Sequence, residues 1–593
     1  MTQSPPSTTQ SADAGAITLP ASVSRRSLLR LVLAGAGIAA TGPVLARTGL
    51  LGTGAGVVQQ GAVSGVISGT APMAGPNVPK FERELLIPPV IQPTQTRTET
   101  VLGKPAQVAY YDITQKVGST DLLPAPFPRT EIWGYNGTYP GPTFRQTTGG
   151  TYTVVRQTNA LPGGRGTSTH LHGSPTQPAH DGHPDDQTYP AGVTPVPTSE
   201  FDGAPSYQPT HVYRYPNSQE TRTLWYHDHG MHNTAENVYK GLVGMFIQDP
   251  DAARTAKFSL DKLPGGKYDV PLLIGDMQFN TDGTVAFDDK GHDSLWGNVI
   301  LVNGRAWPKL TVDRTRYRFR MLVADMSRGY NFKLSNGMPF TVIGTDAGLL
   351  SEPVTVSEFR HGMAERYDVV IDFSNVPVGQ KITLLNTAAD GDVGQVMQFV
   401  ASGPKVASSP VPPRLNDYVF GAEAAEVVNP DNPRFFEFNR SGGLWTINGL
   451  PWTGVVAAAP KVGTVEKWIL KNGGGGWFHP VHIHLVDFHI ISRNGAPPFA
   501  YEKGWKDVVY IGPGETVELV MRFNAAAQID PAKPVVGKYV MHCHNLIHED
   551  HDMMTQFSTD PGDAPTGTSV TATAAAMDMG KQPSMMVQWT LNA

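Results

Sequence analysis

Cysteine is almost absent from this 593-residue chain, which contains only Cys543. A single cysteine excludes an intramolecular disulfide, so the fold cannot depend on covalent cross-links even in an oxidising compartment. A strong charge of one sign is also missing. Charged residues make up 17% of the chain and the formal net charge is −6, so nucleic acid is not an expected partner.

Long hydrophobic runs are missing as well. The apolar run 31–46 covers about 16 residues, includes three glycines and a proline, and is too short for a membrane helix of roughly 20 residues. It follows Ser24-Arg25-Arg26-Ser27-Leu28-Leu29-Arg30 and ends in Val44-Leu45-Ala46, a small-residue cleavage site. We therefore interpret residues 1–46 as a twin-arginine signal peptide and residues 47–82, rich in Gly, Ala, Val and Pro, as a flexible linker. The protein is expected to be secreted in the folded state through the twin-arginine translocase, to the periplasm or the cell exterior.

Glycine and proline, in contrast, are plentiful, with 63 and 50 residues. Three similar units each contain an Asn-Gly step, a proline a few residues later, and then an alternating strand pattern. The steps at Asn136, Asn303 and Asn448 lie 167 and 145 residues apart, and Asn-Gly between strands is a strong hairpin signal. These patterns predict an all-β fold of consecutive β-sandwiches. We place domains 1, 2 and 3 at 83–251, 252–403 and 433–560, with a Pro/Ala-rich linker at 404–432 and a Met-containing tail at 561–593.

The most informative stretch surrounds the single cysteine, in His542-Cys543-His544. The preceding residues predict that it enters as a strand, on which His542 and His544 face one way and Cys543 the other. Three adjacent residues could then serve two metal sites. His548 and Met553 follow at five-residue steps. With one further imidazole, these side chains form the His₂Cys set with a weak methionine of a blue-copper centre.

Histidine pairs supply the remaining donors. Four His-x-His pairs offer eight imidazoles, enough for a three-copper cluster. Their members are His170, His172, His227, His229, His482, His484, His542 and His544. A single such pair is more often a surface or core pair than a ligand set. A zinc site, which usually takes four ligands, would use too few of these donors. His479 lies an odd three residues before His482 and can face the opposite way, so we assign it to the blue-copper set.

These motifs, in this order, resemble those of the three-domain multicopper oxidases, and most closely bilirubin oxidases and spore-coat-type laccases. The resemblance runs from about Leu86 to about Phe557. It is carried by Thr223–His229, Ala364–Tyr367, His482–Phe488 and the segment 542–554. It implies three cupredoxin-like domains and four copper ions, of which one is type 1 (blue), one is type 2 and two form a type 3 pair.

The resemblance also implies a role for each candidate ligand. The type 1 copper takes His479, Cys543, His548 and axial Met553. The type 2 copper takes His170 and His482, and the other six imidazoles of the pairs bind the type 3 copper ions. It further implies that the edge of His479 lies near solvent, so that the substrate need not enter the molecule. The backbone joins Cys543 to His542 and His544, giving electrons a short covalent route.

Acidic residues close to the ligands are candidate proton carriers. Asp181 and Glu549 match the family's acids near the cluster, although an Asp before Gly is also a common turn residue. Asp228 and Asp487 stand beside ligands and are interpreted as groups that orient imidazoles. Trp477 matches a tryptophan beside the type 1 copper, where it either tunes the copper, relays electrons or simply packs.

The implied activity is the one-electron oxidation of an organic donor coupled to the four-electron reduction of dioxygen to water. Bilirubin, phenols, aromatic amines and Mn(II) remain open as donors.

An alternative is a cuprous oxidase of copper homeostasis, but the third domain lacks a methionine-rich insert. A copper-free structural cupredoxin protein is a further alternative, opposed by the complete ligand set. The tail methionines Met577, Met579, Met585 and Met586 are interpreted as part of a disordered end rather than a copper-capturing segment.

Overall fold

The computed structural model describes most of the chain between residues 75 and 563. The described residues are 17–20, 75–193, 208–289, 293–474, 476–563, 569–578 and 583–591. Apart from 17–20, the expected signal peptide lies outside them, as does the expected linker up to residue 74. Strands dominate and pair into two sheets in each of three successive parts of the chain. The prediction of an all-β fold with three cupredoxin-like sandwiches is confirmed.

The first sandwich combines a four-stranded sheet, ordered β5-β10-β9-β7, with a sheet ordered β2-β3-β6-β8, in which β4 also pairs with β3. Its strands are β2 (Gln95–Val101), β3 (Lys104–Thr120), β4 (Thr130–Tyr135), β5 (Phe144–Thr147), β6 (Tyr152–Asn159), β7 (Thr169–His172), β8 (Thr210–Tyr215), β9 (Arg222–Asp228) and β10 (Val243–Asp249). Tyr135, Phe144 and Tyr226 pack between the two sheets.

The second sandwich is the largest. Its strands are β11 (Asp269–Met277), β12 (Val299–Val302), β13 (Arg305–Ala306), β14 (Lys309–Arg314), β15 (Arg316–Val323), β16 (Tyr330–Leu334), β17 (Phe340–Thr345), β18 (Gly348–Val356), β19 (Glu358–His361), β20 (Arg366–Asp372), β21 (Gln380–Asn386) and β22 (Gln395–Lys405). They form a seven-stranded sheet, β13-β12-β11-β15-β20-β17-β18, and a five-stranded sheet, β14-β22-β21-β16-β19.

The third sandwich has two five-stranded sheets, β24-β23-β26-β30-β28 and β25-β32-β31-β27-β29. Its strands are β23 (Arg434–Ser441), β24 (Leu444–Ile447), β25 (Val456–Ala458), β26 (Val465–Asn472), β27 (His479–Ile483), β28 (Phe488–Arg493), β29 (Val508–Ile511), β30 (Thr516–Arg522), β31 (Lys538–Cys543) and β32 (Met554–Ser558). Cys543 and Met553 belong to its buried apolar core, together with Trp468.

Helices are few and short. The α-helices of the described residues are α1 (Thr234–Lys240), α2 (Ala252–Phe258) and α3 (Leu546–Asp550). Short 3₁₀ turns occur at Pro162–Gly164, Pro178–His180, Leu260–Lys262, Gly266–Tyr268, Gly391–Gly394, Ala422–Glu426 and Ala500–Glu502. None of the helices in the described part of the chain has the length and apolarity that a membrane-spanning helix needs.

The two ends of the described chain differ from the sequence interpretation. Residues 75–86, divided in that interpretation between the linker and the first domain, pack on the second sandwich. There Phe81 N donates to Trp307 O at 2.8 Å and Leu85 N donates to Lys309 O at 2.7 Å. The tail, interpreted as disordered, forms strands β33 (Ser569–Asp578) and β34 (Pro583–Leu591), which pair in a small sheet with β1 (Ile17–Pro20). Its alternation of β-branched and small residues suits a strand.

The Asn-Gly steps adopt the conformation that hairpin turns require, but only one joins two strands. Both residues of each step have positive φ, for example 49° at Asn303 and 73° at Gly304. The step at Asn303 joins β12 to β13. After Asn448 the returning arm makes a single bridge between Ile447 and Leu450, and after Asn136 the chain continues as a loop. The repeated dipeptide therefore marks a repeated turn and not a repeated hairpin.

An ion network joins the first two sandwiches. Asp269, the first residue of β11, pairs with Arg320 of β15 at 2.8 Å and with Arg145 of β5 at 2.7 Å. The Asp269 side chain is only 3% exposed. Burial alone would raise the pKa of this carboxyl, but Arg320 and Arg318 outweigh it and hold the pKa well below its usual range. The charged carboxylate thus stabilises the folded form.

Replacing Asp269 by asparagine should therefore destabilise the protein by about 1.5–3 kcal/mol at neutral pH, because Arg320 and Arg145 each lose one carboxylate partner and keep Asp249. Because the pKa of Asp269 is lower in the folded state, its contribution to folding stability is complete above the unfolded-state pKa of about 3.9. That contribution is lost as the pH falls through the folded-state pKa. Thermal unfolding midpoints of the parent and variant should hence converge below about pH 4. Asp112→Asn is the control, because Asp112 pairs with Arg156 on the surface. If the difference in thermal midpoint between the parent and Asp269→Asn stayed the same in acid, this account would be contradicted.

Candidate metal centres

Two strand pairs bring the histidine motifs together. In the first sandwich β7 and β9 run antiparallel with His170 opposite His227. In the third sandwich β27 and β31 run antiparallel with His482 opposite His542. Each pair of strands therefore presents two His-x-His motifs on one face, because alternate residues of a strand share a face.

The opposite face of β27 and β31 carries a second group of donors, called here the thiolate site and defined by His479, Cys543, His548 and Met553. Cys543 Sγ lies 3.4 Å from His479 Nδ1 and 3.6 Å from His548 Nδ1. The two Nδ1 atoms are 3.3 Å apart. A triangle with sides of about 3.5 Å is the size filled by a metal with bonds of about 2.0–2.3 Å. Met553 is fully buried, and its carbonyl accepts a hydrogen bond from Cys543 N at 3.1 Å.

The hydrogen bonds of His548 suit a metal ligand. Its Nε2 lies 2.9 Å from the carbonyl oxygen of Asp293, to which it can donate. A proton on Nε2 leaves the lone pair on Nδ1, which points into the triangle. Asn545, the N-cap of α3, accepts from Ile547 N at 3.2 Å and so fixes the start of the helix that carries His548.

The expectation that the edge of His479 faces solvent is wrong. His479 is 0% exposed, and its Nε2 has no hydrogen-bond partner among the described residues. It faces the third-domain core, where Phe438 and Trp445 lie 6.1 and 5.9 Å away. The ring directed toward the rim is His548, since its Nε2 contacts Asp293, whose side chain is 37% exposed.

Tryptophans surround the His548 ring. Trp445 stacks on it at 3.6 Å with an interplanar angle of 24°, and Arg440 lies over Trp445 at 4.9 Å. Trp477 contacts both rings edge-on, at 5.5 Å from Trp445 and 5.4 Å from His548. Trp477 was singled out from the sequence. Trp445 was not, because nothing in the spacing of the motifs indicates it.

The eight imidazoles of the His-x-His pairs form one buried cluster between the first and third sandwiches, called here the imidazole site. The nitrogens of His172, His227 and His544 lie within 4.8 Å of one another, as do those of His229, His484 and His542. A further group of the same size joins His170 and His482 to His172.

The His170 and His482 imidazoles face each other through Nε2 atoms that are 3.3 Å apart. Their Nδ1 atoms donate to the carbonyl oxygens of Asp181 at 2.6 Å and Asp507 at 2.8 Å. Both Nε2 atoms therefore carry lone pairs and cannot bond to each other. A cation between them resolves this contact.

The same pattern recurs around Glu549. Nε2 of His229 and Nε2 of His542 are 3.2 Å apart, while their Nδ1 atoms lie 3.5 and 2.9 Å from the Glu549 carboxylate. Other buried imidazole nitrogens have no hydrogen-bond partner among the described residues: His172 Nδ1, His227 Nε2, His484 Nε2 and both nitrogens of His544. Because unpaired buried polar atoms are costly, this donor set fits bound metal ions.

Burial keeps the imidazoles neutral, as ligands must be. Desolvation, reinforced by His229, lowers the pKa of His227 to about 3. Desolvation lowers the pKa of His229 to about 4 and that of His479 to about 3. Neutral imidazole can bind metal across the whole physiological pH range.

Asp181 touches the imidazole site through both its backbone and its side chain. The carbonyl fixes His170, and carboxylate Oδ2 lies 2.7 Å from His484 Nδ1. Burial raises the pKa of this carboxyl to about 8. The adjoining Gly182 has φ +80°, and a Cβ there would lie 2.3 Å from the carbonyl oxygen of Thr169. The turn at Asp181-Gly182 is therefore confirmed, while the proton-carrier role of Asp181 stays a prediction.

Of the two other acids noted in the sequence, Asp228 orients an imidazole through its backbone carbonyl, and Asp487 acts differently from the interpretation. The Asp228 carboxylate accepts from Ser168 N and Gly230 N, both at 3.1 Å, and thereby holds the loop, while its carbonyl oxygen accepts from His227 Nδ1 at 2.8 Å. Asp487 forms a two-point pair with Arg222 at 2.8 Å on both arms. The Asp487 carboxylate thus ties the first and third sandwiches together instead of orienting an imidazole.

Sequence reasoning missed Asp507, which contacts two imidazoles. Its carboxylate Oδ1 lies 3.2 Å from His172 Nε2, and its carbonyl fixes His482. The residue stands alone before β29, outside any histidine motif, so no sequence signal identified it. A cavity of about 30 Å³ adjoins Asp507, His170 and His482. It has room for at least one water molecule.

Three ranges of the chain match models of a known protein family. Three multicopper oxidase family models match residues 116–252, 269–390 and 426–563. Each match falls on one of the three sandwiches.

Two curated relatives match most of the chain. The bilirubin oxidase of Albifimbria verrucaria is 39% identical over 510 residues, covering 82% of both chains. The laccase of Bacillus subtilis (strain 168) is 33% identical over 547 residues, covering 81% of this chain and 99% of the laccase.

Solved structures show the same fold. A laccase from Pediococcus acidilactici superimposes with a TM-score of 0.68 at 26% identity, covering 82% of this chain and 95% of its own. The McoA multicopper oxidase of Aquifex aeolicus superimposes with a TM-score of 0.67 at 26% identity, covering 81% of this chain and 99% of its own.

Proposed function

The chain belongs to the multicopper oxidase family, and on that premise we propose that its electron donor is an organic aromatic compound. The protein is a copper-dependent oxidoreductase that couples oxidation of a small-molecule substrate to reduction of dioxygen. The donor classes proposed are bilirubin, phenols and aromatic amines. Similarity to a bilirubin oxidase and a laccase supports this choice.

We assign four copper ions to the two sites. The thiolate site would hold type 1 copper through His479, Cys543 and His548, with Met553 as a further, weak donor. His170 and His482 would hold type 2 copper, a pairing supported by their facing Nε2 atoms. The type 3 pair would take two sets of three imidazoles, His172, His227 and His544, and His229, His484 and His542, a division supported by their grouping. When bound, copper supplies the one-electron redox chemistry that allows dioxygen to be reduced by four electrons and four protons to two waters.

The observation that carries the proposal is the two-faced end of β31. Cys543 Sγ lies 3.4 Å from His479 Nδ1 on one face, while the neighbouring His542 and His544 join the imidazole site on the other. One peptide unit separates the cysteine from each of these histidines. The chain therefore offers electrons a covalent connection between the two sites.

Electron entry is proposed at the His548 side of the thiolate site. Asp293 and Arg440 form a salt bridge there, with side chains 37% and 26% exposed, and Arg440 lies over Trp445. An organic donor bound at this rim would lie close to the His548 ring without entering the core. Trp445, stacked on that ring, extends its π surface toward Arg440.

Asp181 and Glu549 are the proposed proton carriers. Asp181 can hold a proton on its carboxyl beside His484 Nδ1, because burial raises its pKa to about 8. Glu549 faces His229 and His542 on the other side of the imidazole site. Their positions at different edges of the site allow protons to be delivered to it from two sides.

Organic donors are favoured over Cu(I) by the composition of the third domain. Met521 is the only methionine between residues 404 and 540, and it is fully buried in the apolar core. A surface that captures Cu(I) would need exposed thioethers.

We also propose the domain boundaries and the export route given by the sequence. Two sheets in each of three successive parts of the chain support a division into three domains, although β22 ends at Lys405 and residues 83–86 pack on the second sandwich. The Ser24–Arg30 motif supports export by the twin-arginine translocase to the periplasm or cell exterior.

The proposal is tested by oxygen uptake. The copper-loaded mature protein is supplied in turn with bilirubin, a methoxyphenol and Cu(I), and kcat/KM is compared, with copper-free protein as the control. We expect at least one organic donor to exceed Cu(I) by about tenfold or more in kcat/KM, which is the measure of discrimination between substrates. If only Cu(I) drives oxygen uptake, the donor assignment fails and the function becomes copper homeostasis. A colourless protein under full copper loading would overturn the assignment of Cys543 itself.

A further inference from the structure

The motif Ala364-Glu365-Arg366-Tyr367 lies in the second sandwich, which contributes no imidazole to the imidazole site. Arg366 opens β20 and its side chain is 0% exposed. A fully buried arginine in a domain without metal ligands needs a physical reason, because a buried charge is costly unless it is fully paired.

The N–H groups of Arg366 donate hydrogen bonds to acceptors in all three sandwiches. Nε donates to the carbonyl oxygen of Thr223 in the first sandwich at 2.9 Å. Within the second sandwich, the two terminal nitrogens donate to Ala364 O at 3.0 Å and Asp346 O at 3.1 Å. Both terminal nitrogens also donate to the Asp507 carboxylate of the third sandwich, at 2.6 Å each. This two-point pair leaves Asp507 a single orientation.

Asp507, held in this way, contacts one imidazole from each outer domain. Its Oδ1 lies 3.2 Å from His172 Nε2, and its carbonyl oxygen accepts from His482 Nδ1 at 2.8 Å. His172 differs from His170, His227 and His482. Those three donate through Nδ1 to a backbone carbonyl, whereas His172 is bonded through Nε2 and leaves Nδ1 without a hydrogen-bond partner among the described residues.

The contact with Asp507 therefore decides which nitrogen of His172 is free. A carboxylate accepts only, so it places the His172 proton on Nε2 and leaves the lone pair on Nδ1. Without that acceptor, the imidazole could protonate either nitrogen and rotate. One residue of the third sandwich thus sets the tautomer of a ligand in the first.

Neighbouring charges hold the backbone of Asp507 as well. Asp346 accepts from Asp507 N at 3.3 Å and from Val508 N at 3.2 Å. It also pairs with Lys506 at 2.9 Å, and Lys506 pairs with Glu365 at 3.0 Å. The dipeptides Glu365-Arg366 and Lys506-Asp507 thus meet as two complementary ion pairs.

We propose that Arg366 and Asp507 are positioning residues, through which the second domain fixes the orientation of His172 and His482 and thereby sets the copper affinity of the imidazole site. This inference rests on the proposed function, since it concerns copper binding by those imidazoles. It assigns a part in metal binding to the second domain, which contributes no imidazole to the imidazole site.

The test is copper affinity, measured by competition with a chelator, with copper counted per chain. Arg366→Met and Asp507→Asn should weaken copper binding at the imidazole site by about 10–100-fold, the usual effect of losing a partner of a metal ligand. The visible absorption of the thiolate site should stay unchanged. Asp507→Asn should also alter the paramagnetic resonance signal of the copper held by His170 and His482. Arg366→Lys keeps the charge but loses the two-point pair, so its affinity should lie between those of the parent and Arg366→Met.

Arg493→Met is the matched control. Arg493 forms a buried two-point pair with Glu502 at 2.8 Å on both arms, and its other contacts are Glu515 and the carbonyl of Tyr510. Its loss should lower the thermal midpoint while copper affinity stays within about twofold, because none of these hydrogen-bond partners of Arg493 donates to or accepts from an imidazole of the imidazole site among the described residues. Equal copper loss in Arg493→Met and Arg366→Met would overturn the positioning role.

The parent protein is measured first, so that failure of the proposed function can be told apart from failure of this inference. A parent that binds no copper at the imidazole site rejects the proposed function. A parent that binds copper, with Asp507→Asn and Arg366→Met binding equally well, rejects only this inference. Asparagine has nearly the same shape as aspartate, so Asp507→Asn still tests the positioning role if Arg366→Met does not fold.

Discussion

Cys543→Ser should abolish the visible absorption of the copper-loaded protein and its oxygen uptake with an organic donor. Serine fills nearly the same volume in the core but offers no thiolate, the donor that selects copper at a His₂Cys site. Cys543 is also the residue that joins the thiolate site to His542 and His544 through the backbone. We expect one copper fewer per chain and a fall in turnover of more than about 10³-fold, equivalent to about 4 kcal/mol of barrier. Absorption spectra, copper counts and an oxygen electrode measure the three effects.

Met553→Leu is the control for this change. It removes a core residue of the same site, one that is fully buried beside Cys543, while leaving the three nitrogen and sulfur donors in place. The visible band should persist in this variant, since a weak axial ligand tunes a blue-copper site without creating it. A Cys543→Ser protein that kept the parent's colour would show that the thiolate is not the ligand.

Asp181→Asn should slow oxygen reduction without slowing electron entry. An amide oxygen can still accept from His484 Nδ1, 2.7 Å away in the parent, so the imidazole keeps its orientation. The amide cannot hold and release the proton, however. Turnover should fall by about 10²–10⁴-fold, the usual contribution of general acid catalysis. Bleaching of the visible band by the donor in the absence of oxygen should keep its parent rate, which stopped-flow absorbance would measure.

The matched variant is Asp325→Asn, another buried carboxyl whose pKa is raised to about 8 by burial and by Asp276. Asp325 accepts from Tyr330 Oη at 2.8 Å and lies in the second sandwich, with no hydrogen bond to an imidazole among the described residues. Its change should leave turnover within about twofold, because its carboxylate contacts none of the candidate copper ligands. If Asp325→Asn and Asp181→Asn slowed turnover alike, the effect would be structural and the proton-carrier role of Asp181 would be rejected.

The strands and the metal motifs were largely predictable because both follow local rules. Alternation fixes which side chains share a face, so the opposite orientations of Cys543 and its two flanking histidines could be inferred before the fold was seen. The same rule put His479 on the face opposite His482. The single cysteine located the thiolate site, since no other thiol competes for it.

The groups around the metal motifs were not predictable. Asp507, Trp445 and Asp293 reach the sites from loops or strand ends that are distant in sequence, and no spacing connects them to a histidine. The orientation of the thiolate site was also misjudged. Whether His479 or His548 faces the rim depends on which loop of another domain covers each ring, and here Asp293 of the second sandwich approaches His548. Such contacts depend on how whole domains pack.

The imidazole site takes half of its histidines from the first sandwich and half from the third, and the last of them is residue 544 of 593. A chain still emerging from the ribosome therefore holds four of the eight imidazoles until residue 482 and all eight only from residue 544 onward. A molecule that ends before His482 lacks the four imidazoles of the third sandwich. Full copper loading of the imidazole site thus requires synthesis through His544 and closure of the first and third sandwiches on each other.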